Sequence, residues 1–461
     1  MSRSPRVVRA LAAALVAITT SAGASPAHDV CADLGDTFAV GISSYSSALG
    51  WPEKAAANGV KWSFLYYYVT PDWDPGLADF IASKATIAKG LSATMVITFY
   101  NLYARGVAAG LPECTSDSPC VKAVLARPDL MKAYFDEFVD VLKAAKKAED
   151  EGVTTLVHVE PDSWGFMMWT FGTDGQTDAT RVPVMVKSSG HADVAAFSDD
   201  ASGLARSLLA LRDQYAPATR MGWHASNFRA GLRPEVVTSF YSTLGDWDVI
   251  VTEEPHIVTD ATHWWNGLDT NLITANTNWF ATVSSATHLP ILIWQEHIGA
   301  MEYYLFADPG GPALLRSWMA SGVAGMMWEQ QCYGGTCSDP SNPDSFRGVA
   351  DDDSTLLSAP PSSFGTGAAI DLRQDLAKYQ LAPIAWPAGS ICARSHADAG
   401  VAVTDSGAAD AAQLVSPANG SGCGCRIGVG YQWTRVPWVA SLMALVFMAA
   451  AARRRRASTR R

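Results

Sequence analysis

The sequence has no surplus of positive charge. Its 461 residues carry 34 Lys and Arg against 45 Asp and Glu, a formal net charge of −11. Binding a phosphate backbone depends on clustered cations, so nucleic acid is not an expected partner. No tight metal-ligand motif such as HExxH is present. A metal site would have to be collected from His158, Glu160, His256, Glu296 and His297, so neither metal nor cofactor is expected. No internal repeat is evident, which sets aside a repeat architecture. Long hydrophobic runs are scarce too, and the longest, Val436–Ala452, is barely long enough to span a bilayer.

Apolar residues are plentiful, at 48% of the chain, enough for a sizeable core, and there are 16 Trp and 14 Tyr. Such aromatics suit sugar-stacking surfaces, and they equally suit a large core. The N-terminus reads as a secretory signal over residues 1–24. Arg3, Arg6 and Arg9 form a basic region, Ala10–Thr20 an apolar core, and Ala22-Gly23-Ala24 a small-residue cleavage site, with Ser25-Pro26-Ala27 as an alternative. Export to an oxidising compartment suits the eight cysteines. Cys114 with Cys120 and Cys332 with Cys337 would close short loops, and Cys31 with Cys392 would tie the ends of the globular part. Sequence alone does not fix this pairing.

One stretch organises the rest: Thr155–Phe166, TLVHVEPDSWGF. The run Val153–Val159 is apolar on both faces, as in a buried parallel strand. Pro161 cannot donate to a sheet ladder and ends it. Glu160, Asp162 and Trp164 thus fall where a strand gives way to a loop; alternatively, Asp162-Ser163 caps the next helix.

Similar runs occur at 38–43, 62–69, 94–100, 220–224, 248–252, 290–294 and 323–328, making eight with the central one. Helical patterns cover 77–88, 129–149, 191–215, 234–244, 271–285, 311–321 and 371–379, and a polar insertion covers 170–189. Alternating short strands and helices give an α/β fold: a (β/α)8 TIM barrel or a distorted variant of it, over residues 25–394. Residues 395–422, rich in Ala, Ser, Gly and Asp, read as a flexible linker. Residues 423–461 read as an anchor segment, with a transmembrane stretch at 436–452 and Arg453–Arg456 held on the cytoplasmic side.

The C-terminal ends of barrel strands form the catalytic face, and acids gather there. Glu160 and Asp162 follow the fourth strand, Glu253 and Glu254 the sixth, Glu296 the seventh and Glu329 the eighth. Trp164, Trp223, His224, Asn227, His256, Trp294, His297 and Trp328 share these positions. Packing does not require acids at strand ends. Carboxylates ringed by Trp and Asn suit glycoside hydrolysis, which needs one protonated carboxyl for the leaving oxygen and one ionised carboxyl as base or nucleophile. The candidate catalytic residues are Glu160, Asp162 and Glu296. The candidate substrate-binding residues are Trp164, Trp223, His224, Asn227, Glu253, Trp294, Trp328 and Glu329.

Three resemblances rest on these motifs. Thr155–Ser163, TLVHVEPDS, resembles the acid-bearing segment of glycoside hydrolase family 6, and Trp328–Asp339, WEQQCYGGTCSD, is loosely similar to that family's last strand and Cys-containing loop. This likeness implies that Asp162 is the general acid and that the barrel is distorted. The family carries a further Asp after an earlier strand, where Tyr100–Arg105 here has none. Glu160-Pro161 and Gln295-Glu296-His297, with Trp328, also resemble the clan A glycosidases that place one Glu at the fourth strand and another at the seventh. That likeness implies Glu160 as acid/base and Glu296 as nucleophile, although Val159 stands where the clan usually has Asn. Finally, Cys423-Gly424-Cys425, the short apolar run and the terminal arginines resemble the C-terminal sorting signals of myxobacterial surface proteins. This implies a sorting protease as partner and display at the cell surface, on the outer membrane or cell envelope. The expected protein is a secreted, surface-anchored glycoside hydrolase acting on an extracellular polysaccharide or oligosaccharide. The alternative is a noncatalytic carbohydrate-binding or adhesion protein on the same scaffold.

Overall fold

A computed structural model of the chain describes residues 28–43, 56–57, 59–71, 76–171, 175–226, 233–253, 270–297, 311–329, 358–359 and 370–393. The signal segment, the 395–422 linker, the sorting segment, Asn227, Glu254, His256 and the Cys332–Cys337 pair lie outside the described residues. Among the described residues no helix is long and apolar enough to cross a membrane.

Eight strands close a barrel in sequence order: β1 (Ala39–Ser43), β2 (Phe64–Val69), β3 (Thr94–Phe99), β4 (Thr155–Val159), β5 (Arg220–His224), β6 (Val249–Thr252), β7 (Ile291–His297) and β8 (Val323–Glu329). Every neighbouring pair is parallel, including β1 with β8, whose register sets Ala39 against Gly325 and Val40 against Met326. The barrel is therefore the closed eight-stranded form rather than a distorted one. Each strand lies on the apolar run expected from the sequence. β7 is longer than expected, since it continues through a register irregularity between Ile293 and Glu296.

Both faces of each strand are covered, which is why the strands read as near-continuous apolar runs. The period of two sorts their side chains. In β2, Tyr66 and Tyr68 face the barrel interior, with ring centroids 6.0 and 5.8 Å from Trp294 of β7. Tyr67 faces outward onto Phe80 at 6.4 Å. In β5, His224 faces inward while Trp223 packs outward on Tyr241 at 5.4 Å. The β1–β8 seam is tight. A Cβ at Gly325 would lie 2.7 Å from the Ala39 carbonyl oxygen, so only glycine fits there.

The helices around the barrel are α1 (Val30–Leu34), α2 (Leu77–Leu91), α3 (Leu102–Ala108), α4 (Asp117–Leu125), α5 (Pro128–Asp150), α6 (Ser163–Trp169), α7 (Ala201–Tyr215), α8 (Pro234–Tyr241), α9 (Thr270–Thr287), α10 (Gly311–Ala320) and α11 (Leu372–Leu381). α5 starts with Pro128, whose missing N–H costs nothing at a helix start. It buries Tyr134, Phe138, Val141 and Leu142 and exposes its Lys–Asp pairs. The helix expected over 191–215 begins only at Ala201. Asp200 caps it by accepting from Gly203 N at 2.7 Å, and Asp199 is held by Ser188 N and Oγ at 2.9 and 2.6 Å. These local side-chain bonds compete with helix over 191–200. α3 and α4 are short helices not anticipated from the sequence, α6 is the helix expected from the alternative reading of Asp162-Ser163 as a cap, and the three build the rim beside β3 and β4.

The opposite end of the barrel is fastened by Arg212, 1% exposed, which donates to Asp248 Oδ2 at 3.0 Å. The same oxygen accepts from Met221 N at 2.6 Å. Cys31–Cys392 joins the two ends of the globular part, and Cys114–Cys120 closes a short loop. Both are among the expected pairings.

Candidate active site

β4 ends abruptly, as the sequence suggests. Glu160 takes φ +50°, a left-handed conformation that non-glycine residues rarely adopt. The turn reverses the direction of its side chain. Its Oε1 accepts from the N–H groups of Asn101 and Leu102 at 3.0 and 3.1 Å, and its Oε2 accepts from Ser163 Oγ at 3.1 Å. Fully buried Glu160 therefore closes the N-terminus of α3. Burial pushes its carboxyl up to about 8, against the backbone donors, Ser163 and Arg105, which all favour the anion.

Asp162 stands at the cap position of α6, yet its side chain makes no capping bond. It turns instead to Tyr100, just past the end of β3, whose hydroxyl donates to its Oδ2 at 3.3 Å. Burial and the negative charge of Glu253 push the Asp162 carboxyl up to about 7, while the Tyr100 bond, and the His224 ring whenever it is charged, pull it down. A carboxyl with that balance keeps a proton near neutral pH while remaining able to give it away. Tyr100 itself is raised well above its ordinary range by burial and by Asp162.

Glu253, just past β6, is 14% exposed in its side chain, and its Oε2 pairs with His224 Nε2 at 3.2 Å. His224 in turn meets His158 through Nδ1 and Nε2 at 2.8 Å, and His158 Nδ1 meets Thr98 Oγ1 at 3.3 Å. All four imidazole nitrogens thus have partners: Thr98, Glu253 and each other. Burial holds His158 well below the ordinary histidine range.

Trp294 lies edge-on to both imidazoles, with centroids at 4.9 and 5.4 Å. The next residue, Gln295, has φ +62°, so β7 carries a left-handed residue near its end, and Glu160 is the left-handed residue that follows β4. Gln295 Nε2 donates to the Tyr68 hydroxyl at 3.1 Å.

The structure thus brings together Asp162, His224, Glu253 and Trp294 from the expected set. Trp164 and Trp223 are fully buried, 6.5 Å apart between the barrel and its helices, and the Trp164 indole N–H donates to the Val159 carbonyl at 3.0 Å. Trp328 is fully buried as well. Glu296 and Glu329 belong to β7 and β8 by backbone, and their side chains lie outside the described residues.

Three contributors were missed by sequence reasoning. Tyr100 and Tyr68 read as ordinary strand aromatics. Asp117 opens α4 inside the loop closed by Cys114–Cys120. It accepts from the Tyr103 hydroxyl, and its charge raises both Tyr100 and Asp162.

No protein-family model matches the chain, and no curated protein matches it either. Among solved structures, it is similar to a modular endo-β-1,4-mannanase from Cellulomonas fimi, at 13% identity and TM-score 0.43, covering 75% of this chain and 78% of that one. A structure from work on two fungal β-1,4-galactanases matches at 13% identity and TM-score 0.37, covering 64% and 90%. An endoglucanase from Humicola insolens matches at 15% identity and TM-score 0.31, covering 57% and 76%. These are likenesses of chain path, and the strand pairing of this chain carries the barrel assignment by itself.

Proposed function

We propose that the chain is a glycoside hydrolase whose general acid is Asp162. The observation that carries this reading is the contrast between two neighbouring carboxyls at the C-terminal end of the barrel. Asp162 is raised to about 7 by burial and by Glu253, with Tyr100 on one oxygen. Glu253 is bound through Oε2 to an imidazole. Two acids with separate environments are what acid-assisted cleavage of an acetal requires: one gives a proton to the leaving oxygen while an ionised one opposes it. Glu160, whose oxygens are bound to the start of α3, orients the loop that carries Asp162. Glu296 is the other candidate for the ionised carboxylate.

The substrate of this reading is an extracellular polysaccharide or oligosaccharide. The signal-like N-terminus, the linker and the Cys–apolar–Arg tail support a protein secreted and anchored at the cell surface, with a sorting protease acting on the tail. Incubating the full chain with a panel of polysaccharides and assaying new reducing ends tests the activity. Release from at least one substrate is expected. Retention on a polysaccharide column without release would replace the enzyme with a carbohydrate-binding barrel. Cell fractionation and surface proteolysis test the address; an intact chain confined to the cytoplasm would refute it.

A further inference from the structure

Inside the barrel, Thr98 of β3, His158 of β4, His224 of β5 and Glu253 past β6 form an unbroken series of side-chain contacts at 3.3, 2.8 and 3.2 Å. Hydrogen-bond chemistry gives that series a direction. A carboxylate only accepts, so His224 Nε2 carries a proton and donates to Glu253. With neutral rings, His224 Nδ1 is then bare and accepts, which requires the proton on His158 Nε2. His158 Nδ1 is bare in turn and accepts from the Thr98 hydroxyl. Each link thereby fixes the tautomer of the next.

The surroundings hold the series still. His158 and His224 are completely buried, and Trp294 stands edge-on to both rings. The far end is fastened through the backbone. Thr252 Oγ1 contacts the Ala225 carbonyl at 2.6 Å and the Glu253 carbonyl at 2.8 Å, joining the ends of β5 and β6. Nothing in barrel packing calls for a buried hydroxyl–imidazole–imidazole series ending on a partly exposed carboxylate beside Asp162; apolar residues would fill the same space without the cost of burying polar groups.

We infer that Thr98, His158 and His224 form a one-way hydrogen-bond chain that positions Glu253 as the ionised carboxylate working opposite Asp162. The direction of the chain rests on Glu253 being ionised and is read without any substrate, whereas the catalytic role given to Glu253 rests on the function proposed above. Thr98 and His158 are positioning residues, acting through His224.

The full chain labelled with ¹⁵N-histidine tests the direction at neutral pH, because two-bond ¹H–¹⁵N correlations separate the two tautomers. Both His158 and His224 are expected as the Nε2–H form. A proton on Nδ1 of either ring would overturn the chain, and this result needs no substrate. On a polysaccharide that the parent chain hydrolyses, Thr98→Val is expected to lower kcat by about tenfold, the worth of one hydrogen bond. KM should stay within about twofold, and Thr98→Ser should restore kcat. Glu253→Gln should lower kcat by at least about a hundredfold. Unchanged kcat in Thr98→Val, or hydrolysis retained in Glu253→Gln, would overturn the role of Glu253. If the parent chain hydrolyses nothing, the glycosidase reading falls, and the tautomers alone decide the chain.

Discussion

The Tyr100 hydroxyl donates to Asp162 Oδ2 at 3.3 Å, joining the ends of β3 and β4 by a single side-chain bond. That bond favours the carboxylate, while burial and Glu253 favour the acid. The proton on Asp162 is thus set by opposing neighbours, and removing each should move it in the opposite direction.

Tyr100→Phe removes the donor and should raise the Asp162 pKa above about 7. Glu253→Gln removes a negative charge and should lower it. ¹³C NMR titration of the aspartate carboxyls in each variant reads the shift without any substrate. Shifts of the same sign in both variants would contradict the electrostatic account.

Stability should depend on pH through three buried groups. Glu160 and Asp162 have folded pKa values of about 8 and about 7, above their ordinary 4.5 and 3.8. Their folded forms bind protons more tightly, so their contribution is full below the unfolded values and is lost as pH rises through about 7 to 8. His158 is shifted downward from 6.5, so its contribution is present above that value and is lost as pH falls through its folded pKa. Tm should therefore rise as pH is lowered from about 8.5 to 6.5, then rise less steeply as His158, one group against two, opposes the carboxyls. In Glu160→Gln the rise should be smaller because the amide does not titrate, and the cost at pH 6 should stay within about 1 kcal/mol, since the amide oxygen can accept from Asn101 N and Leu102 N as Oε1 does. A thermal melt series that is flat from pH 8.5 to 6.5 in the parent would refute this.

Gly106 of α3 packs on the Cys114–Cys120 disulfide. A Cβ there would lie 2.5 Å from Cys120 Sγ and 2.7 Å from Cys114 Sγ. Gly106→Ala should cost about 1–3 kcal/mol through overpacking and should disturb the loop that carries Asp117. Urea unfolding measures the cost, and a variant as stable as the parent would show that the loop yields freely.

The barrel was legible because its strands are apolar on both faces and each is closed by a turn or loop signal. Val153–Val159 before Pro161 is the clearest case, and β4 occupies Thr155–Val159 within it. The candidate site was placed from acids at strand ends. What was not legible depends on backbone direction and long-range contact. Glu160 and Asp162 are two residues apart in a strand-end motif, and only the φ of +50° at Glu160 turns one toward α3 while the other meets Tyr100. Trp164 and Trp223 carry the composition of a sugar platform, but strand alternation sends Trp223 to the outer face, where it packs with Trp164 and Tyr241. Asp117 could not be assigned because its place depends on a disulfide loop packed against α3. The helix expected from 191 failed over its first ten residues because Asp199 and Asp200 bind backbone and hydroxyl groups locally.

Acid-assisted cleavage at this barrel turns on the proton of Asp162. On a polysaccharide hydrolysed by the full chain, Asp162→Asn should lower kcat by about 10²–10⁴ with little change in Tm. The parent's kcat should fall above about pH 7, as the acid loses its proton. Hydrolysis that survives in Asp162→Asn with the same alkaline limb would contradict the assignment of Asp162 as the acid.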